Sequence, residues 1–211
     1  MQEKTKNEKE IRIADLFGGV GGFRLGFERA TDNRWLQQNN PSKGSNKNIE
    51  EQRRMCNSWK LNCIFYSDID KYAVQTYNKN FGETHKPTDI RTIEADSIPD
   101  FDILCGGVPC QSWSIAGKRK GFEDIRGTMW FEVFRIAKER KPTYLLLENV
   151  KGLLSHNKGK SFERLCELIC ELGYVVDFTV LNSKYFGVPQ NRERVFILAI
   201  REDKLEKTKV I

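Results

Sequence analysis

The 211-residue chain has only two histidines and six prolines. No run of apolar residues approaches the roughly 18 that a membrane-spanning helix needs, which excludes an integral membrane protein of that kind. His85 and His156 stand far apart with no cysteine beside them. The six cysteines, Cys56, Cys63, Cys105, Cys110, Cys166 and Cys170, show neither CxxC nor CxxH spacing. A structural zinc site is therefore not expected, and no metal is expected elsewhere. Met1 to Glu10 carries six charged residues and no apolar stretch, so it reads as a disordered tail rather than a secretory leader. Cys166 and Cys170, four apart in an amphipathic stretch, read as core-facing thiols of a reducing compartment, the cytoplasm.

What is present fits one α/β domain. Hydrophobic residues make up 39% of the chain and charged residues 30%, enough to build a core without disulfides. The net charge of +6 fits a polyanionic partner as well as an ordinary basic surface.

Apolar runs predict strands over Ile11–Phe17, Cys63–Ile69, Asp102–Val108, Tyr144–Val150, Val175–Leu181 and Val195–Ile200. Helical patterns cover Gly22–Ala30, Asp70–Asn80, Thr128–Glu139 and Ser161–Leu172, with Asp70 as an N-cap. Such alternation implies a mostly parallel, doubly wound sheet with helices on both faces. The segment between Leu181 and Val195 holds Gly187 and Pro189 and has no helical period. A parallel crossover needs a helix, so the last strand is expected to be antiparallel to its predecessor. That ending is less like a nicotinamide-binding domain and more like the methyltransferase variant of the doubly wound fold. The methyltransferase-like domain is placed at 11–202, with a tail over 203–211. The polar tract of residues 31–58 is too long for a helix-to-strand connection and is read as an insertion, either a surface loop or a DNA- or partner-contacting one.

Several clusters carry chemistry. Asp15-Leu16-Phe17-Gly18-Gly19-Val20-Gly21-Gly22-Phe23 follows a strand and opens a helix, where glycines let a nucleotide-like ligand approach. Arg24 stands where G-x-G-x-x-G needs its last glycine. Asp68 ends the second strand, the place of a ribose-binding acid. Asp89 is expected at the end of a further strand, within reach of an adenine amino group. In Gly106-Gly107-Val108-Pro109-Cys110-Gln111-Ser112-Trp113-Ser114, a cysteine follows a strand and a proline at the ligand-binding edge of the sheet. The next residues, to Gly127, form a basic loop with Lys118, Arg119, Lys120 and Arg126. Glu148, closing an apolar strand, is expected to be poorly solvated and to hold its proton more tightly. Arg192 and Arg194, two apart on extended backbone, share a face and can fork to a carbonyl or phosphate.

Together these residues resemble the cytosine-C5 DNA methyltransferase family from about Ile11 to Arg201, interrupted by the 31–58 insertion. Four motifs match in order: the Asp-Leu-Phe-Gly-Gly loop, Gly-Gly-Val-Pro-Cys-Gln-Ser-Trp-Ser, Glu148-Asn149-Val150 and Gln190-x-Arg192-x-Arg194. The resemblance implies methyl transfer from S-adenosylmethionine to C5 of a flipped-out cytosine in duplex DNA, leaving S-adenosylhomocysteine. Cys110 is the implied nucleophile, Glu148 and Arg194 hold the base, and Arg192 belongs to the same catalytic motif. Phe17, Gly19, Val20, Gly22, Asp68, Ile69, Asp89, Ile90, Pro109 and Met129 would line the cofactor pocket. Gln111, Ser114, Lys118, Arg119, Lys120 and Arg126 would contact DNA as the loop closes over the base.

Two departures stand out. Ile69 replaces the aromatic residue that often stacks on adenine, so weaker cofactor binding is expected. Family members also continue into a target-recognition domain and a final helix. The reading here is a catalytic half, either one subunit of a split enzyme, a truncated piece or a gene remnant, with a partner polypeptide expected to carry those parts and an apolar face left open for it. Three other readings stay open: a transfer-RNA cytosine methyltransferase, a non-catalytic cofactor- or DNA-binding subunit or remnant, and a nicotinamide oxidoreductase.

Overall fold

The structure, a computed structural model, describes residues 9–32, 59–109 and 128–205. Among these described residues six strands alternate with four helices: β1 (Lys9–Leu16), α1 (Gly22–Thr31), β2 (Trp59–Ser67), α2 (Lys71–Phe81), β3 (Ile103–Gly107), α3 (Met129–Arg140), β4 (Tyr144–Val150), α4 (Lys160–Glu171), β5 (Tyr174–Asn182) and β6 (Glu193–Arg201). All six expected strands and all four expected helices are present. Lys9 and Glu10, assigned to the tail, instead begin β1 and pair with Trp59 and Lys60. Residues 1–8, 33–58 and 206–211 lie outside the described residues.

The sheet order is β2-β1-β3-β4-β6-β5. β1 to β4 pair in parallel, and β6 runs antiparallel to both β4 and β5. The final strand thus has the predicted direction. The path from β4 through α4 leaves a gap one strand wide, and β6 returns along the 3-10 turn Ser183–Phe186 to fill it.

Strand alternation sorts side chains between the two faces. Leu145, Leu147, Val195, Ile197 and Ala199 are fully buried in one core with Trp130, Val133, Phe134, Leu165, Leu168 and Ile169 of α3 and α4. Burying five aliphatic side chains of this size contributes on the order of 10 kcal/mol before the entropy of ordering is subtracted. The opposite face carries Leu146, Phe196 and Leu198, the last 41% exposed. Cys170, expected in the core, is exposed, because α4 turns Leu165, Leu168 and Ile169 inward and four residues past Cys166 the helix has rotated off that face.

Local signals set the helix ends. Asp70 Oδ1 accepts hydrogen bonds from Tyr72 N at 2.8 Å and Ala73 N at 2.9 Å, capping α2 as predicted. Thr128 caps α3 by accepting from Phe131 N. Asp89 does not end a strand. It caps the 3-10 turn Ile90–Thr92, and the chain then passes to β3 through a second such turn at Ala95–Ser97.

Candidate active site

The glycine turn is shaped by what lies beneath it. A Cβ on Gly18 would stand 2.7 Å from the Tyr66 ring and 2.8 Å from Asp15 Oδ2, so only a bare Cα fits. Gly21 has φ +93°, and a Cβ there would come within 2.2 Å of Phe81. Phe17 also takes a left-handed conformation, with φ 53°. That conformation costs a bulky L-residue about 1–2 kcal/mol, and here it belongs to a residue of a cavity wall.

Asp68 locks the turn to the end of β2. Its Oδ2 accepts from Gly19 N at 2.9 Å, and its Oδ1 accepts from Asp70 N at 2.8 Å. The Asp68 carbonyl accepts from Thr88 N at 2.7 Å, tying the next loop to the same point. A cavity of about 310 Å³ opens there, at the C-terminal edge of the strands.

The structure brings together seven of the residues expected to hold the cofactor. Phe17, Ile69, Ile90, Pro109 and Met129 supply apolar wall, while Asp68 and Asp89 supply carboxylates. Ser67, Thr88 and Arg91 also line the cavity and were not anticipated. Ser67 is 2% exposed and its hydroxyl has no hydrogen-bond partner among the described residues, which leaves it able to donate to or accept from a ligand. Its place directly before Asp68 was the available signal. Arg91 is bidentate to Asp89, with its Nη2 at 2.5 Å, and holds that carboxyl below the usual carboxylate range. The remaining three cofactor candidates do not line this cavity. Gly19 sits behind it as the donor to Asp68, Val20 is exposed, and Gly22 lines a separate groove beside α1.

The second site lies along β4 and β6. Arg194 Nε is 2.8 Å from Glu148 Oε1, and both side chains are about one-fifth exposed. Glu148 thus has a cation partner as well as the apolar surroundings expected for it. Arg192 shares a cavity of about 310 Å³ with Glu148 and Arg194, walled by Leu181, Phe186 and Phe196. The two arginines do share a face, as their spacing required.

The end of β3 is clamped to this second site. Val108 N–H donates to the Glu148 carbonyl at 3.2 Å. The buried Asn149 Nδ2 donates to the Val108 carbonyl at 2.9 Å, while Asn149 Oδ1 accepts from Val150 N at 2.8 Å. Asn149 therefore holds the backbone two residues before Cys110. Cys110 itself, and the DNA-contact candidates Gln111, Ser114, Lys118, Arg119, Lys120 and Arg126, lie outside the described residues. Among the described residues no group of histidine, cysteine and acid side chains could hold a metal, and no helix is long and apolar enough to cross a membrane.

A glycine turn, an acid at the end of β2 and a mostly parallel sheet with one antiparallel strand define a nucleoside-cofactor α/β enzyme fold, with a polar site at the sheet edge beside it. Residues 11–210 match the C-5 cytosine-specific DNA methylase family, and the chain belongs to it. It is 39% identical over 201 residues to the type II methyltransferase M.HhaI of Haemophilus parahaemolyticus, covering 95% of this chain and 52% of that one. It is 48% identical over 196 residues to the orphan methyltransferase M.SPRI of Bacillus phage SPR, covering 92% and 38%. In fold it is similar to the Dnmt2 methyltransferase of S. pombe, with TM-score 0.62 and 24% identity over 93% of this chain and 52% of that one. The chain spans about half or less of the curated relatives it matches.

Proposed function

We propose that this chain carries the cofactor and catalytic sites of an enzyme that methylates cytosine C5 in duplex DNA, as part of restriction-modification in the cytoplasm. The observation that supports this most directly is the Glu148–Arg194 pair in a base-sized cavity, with β3 delivering Pro109 to the neighbouring cofactor cavity. Family membership favours DNA over transfer RNA as substrate.

The residues at the first cavity suit S-adenosylmethionine. Ile69, Ile90 and Met129 offer apolar surface to an adenine, the Asp68 carboxylate can accept from ribose hydroxyls, and the unpartnered Ser67 hydroxyl can donate. When bound, that cofactor supplies the methyl group, and S-adenosylhomocysteine is left.

This chain's residues do the rest. The Cys110 thiolate forms a bond to cytosine C6, which makes C5 nucleophilic enough to take the methyl group. Glu148 accepts a hydrogen bond from the exocyclic amine and shares the proton that N3 takes up as the adduct forms, and Arg194 and Arg192 oppose negative charge developing at O2. The C5 proton then leaves to solvent, the electron pair re-forms the ring double bond, and the Cys110–C6 bond breaks. A stacked base cannot reach this edge, so the cytosine is flipped out, and the basic residues from Gln111 to Arg126 hold DNA around it.

An apolar groove of about 520 Å³ beside α1, lined by Phe23, Phe27, Leu146 and Phe196, is a face that the proposed recognition-carrying polypeptide would cover. The test is transfer of labelled methyl from S-adenosylmethionine into unmethylated duplex DNA by the chain and by Cys110→Ser. Incorporation at cytosine C5 that is lost in the variant supports the reading. Folded, cofactor-binding protein that transfers nothing, alone or with a recognition polypeptide, overturns it.

A further inference from the structure

Among the described residues two acids line the cavity at the sheet edge, Asp68 and Asp89, and they are held in different ways. Asp68 spends one oxygen on the Gly19 amide and the other on the Asp70 amide. Asp89 is gripped by the side chain of another cavity residue, Arg91. A third nearby acid, Asp15, lies beneath the glycine turn and does not line the cavity. Burial there pushes its carboxyl up to about 7, and its Oδ1 accepts from the Cys105 thiol at 3.5 Å.

The grip on Asp89 is a fork. Arg91 Nε donates to Oδ1 and to Oδ2, at 3.0 Å each, and Nη2 donates to Oδ2 at 2.5 Å. The Arg91 amide also donates to Oδ1 at 3.0 Å, so the side chain and backbone of one residue together fix the plane of the carboxylate. The turn that carries both residues is itself fixed. Ile90, between them, is 3% exposed and packs in the main core. Arg135 of α3 donates from Nη2 to the Ile90 carbonyl at 3.3 Å and to the Ile93 carbonyl at 2.8 Å, while its Nε donates to Glu132 Oε2 at 2.9 Å. One arginine thus holds the backbone of the turn, and the other holds the acid that the turn presents. The Arg91 side chain is 60% exposed, and an ion pair so open to water contributes little to the fold. Its effect is on the direction in which an acid of the cavity wall can accept.

We propose that Arg91 is a positioning residue that fixes the Asp89 carboxylate as an acceptor for one purine edge, so that the cavity takes a 6-amino nucleoside and rejects its 6-oxo counterpart. This rests on the reading of the cavity as the S-adenosylmethionine pocket, with Asp89 at the adenine amino group. Ile69, Ile90 and Met129 offer apolar wall to the faces of a base, which leaves its edge to the polar groups. A carboxylate only accepts. Set in one plane, it meets an amino N–H with a lone pair, and it meets a 6-oxo group with oxygen against oxygen. A carboxylate free to turn could avoid that oxygen and accept instead from the N1–H that the 6-oxo ring carries. The fork removes that freedom, and the discrimination comes from the mismatch it enforces.

Titration calorimetry of this chain with S-adenosylhomocysteine and with its 6-oxo analogue, S-inosylhomocysteine, tests this. The unmutated chain should bind the adenosyl ligand at least about tenfold more tightly. Arg91→Met should weaken the adenosyl ligand roughly three- to tenfold and leave the inosyl ligand unchanged or improved, so the ratio narrows by at least that factor. Arg91→Lys keeps the charge without the fork, and its ratio should lie nearer that of Arg91→Met than that of the unmutated chain. Both variants should keep the thermal midpoint, because the side chain is exposed. Asp89→Asn supplies a donor as well as an acceptor and should remove the preference. A ratio unchanged in Arg91→Met, equal weakening of both ligands, full restoration by lysine, or a preference that survives Asp89→Asn overturns the proposal and leaves the cofactor reading standing. Failure of the folded, unmutated chain to bind either ligand overturns both.

Discussion

Arg194 and Glu148 meet although they are not opposite each other in the sheet. The β4–β6 register sets Arg194 against Val150 and Glu148 against Phe196, and the guanidinium reaches back along the strands to place Nε 2.8 Å from Glu148 Oε1. The pair presents a fixed acceptor next to a fixed donor fork, the pattern that a pyrimidine edge requires. Glu148→Gln should lower methyl transfer roughly 10²–10⁴-fold while cofactor affinity is kept. Arg194→Met should cost only about 1 kcal/mol of stability, since the pair is partly solvated, but should lower transfer by a comparable factor. Single-turnover rates and chemical denaturation separate the two effects.

Asn149 joins β4 to the segment that leads to Cys110. Asn149→Asp keeps the acceptor for Val150 N and removes the donor to the Val108 carbonyl, leaving that buried carbonyl facing a carboxylate. A loss of roughly 1–3 kcal/mol in unfolding free energy is expected, with a larger fractional fall in turnover than in cofactor affinity. An unchanged turnover number would show that the clamp does not position the nucleophile.

Asp68→Ala should remove two backbone anchors together. The Gly19 and Asp70 amides each lose a charged acceptor, worth about 1.5–3 kcal/mol apiece where water does not replace it. Cofactor affinity by calorimetry should fall at least tenfold, and the variant should melt earlier. Asp68→Asn, which retains one acceptor oxygen, should fall between the two.

The parts of the fold that follow hydrophobic period were legible in the chain. All six strands were placed, and so was the antiparallel last one, because Leu181 to Val195 offers no crossover helix. The seven expected residues that line the first cavity were legible through the family motifs. What sequence could not supply was pairing across the fold. Glu148 looked like an acid in an apolar strand because its partner lies 46 positions on, at Arg194. Asp89 looked like a strand end because a 3-10 turn capped by an aspartate has no period to read. Gly22 belonged to the motif by position, but it lines the apolar groove rather than the cavity at the end of β2. Ser67 carries no pattern of its own, and only its buried, unpartnered hydroxyl singles it out.

Gly21→Ala tests the close approach of the turn to α2. The new Cβ would meet Phe81 at 2.2 Å and would also require a left-handed alanine. Backbone strain alone accounts for about 1–2 kcal/mol, and the clash adds to it. Phe81→Leu in the same chain should relieve the clash and leave the backbone strain, so partial recovery of the melting temperature is expected. Full recovery would mean that the left-handed geometry is not needed at this position.

Asp15 gives the protein a pH dependence of stability opposite in sign to that of a salt-bridged acid. Its carboxyl is raised to about 7 when folded and returns to about 3.9 in the unfolded chain. Between those values the folded protein holds a proton that the unfolded chain has released. Stability from this group is therefore full below about pH 4, falls by up to roughly 1.4 kcal/mol per pH unit through the window, and levels above about 7. Asp15→Asn, which keeps an acceptor for the Cys105 thiol, removes that slope. Urea unfolding of both proteins at pH 5, 6, 7 and 8 should show the variant gaining on the unmutated chain up to pH 7, with a constant difference beyond. A difference that stays the same from pH 5 to pH 8 would show that Asp15 does not titrate in the folded protein over that range.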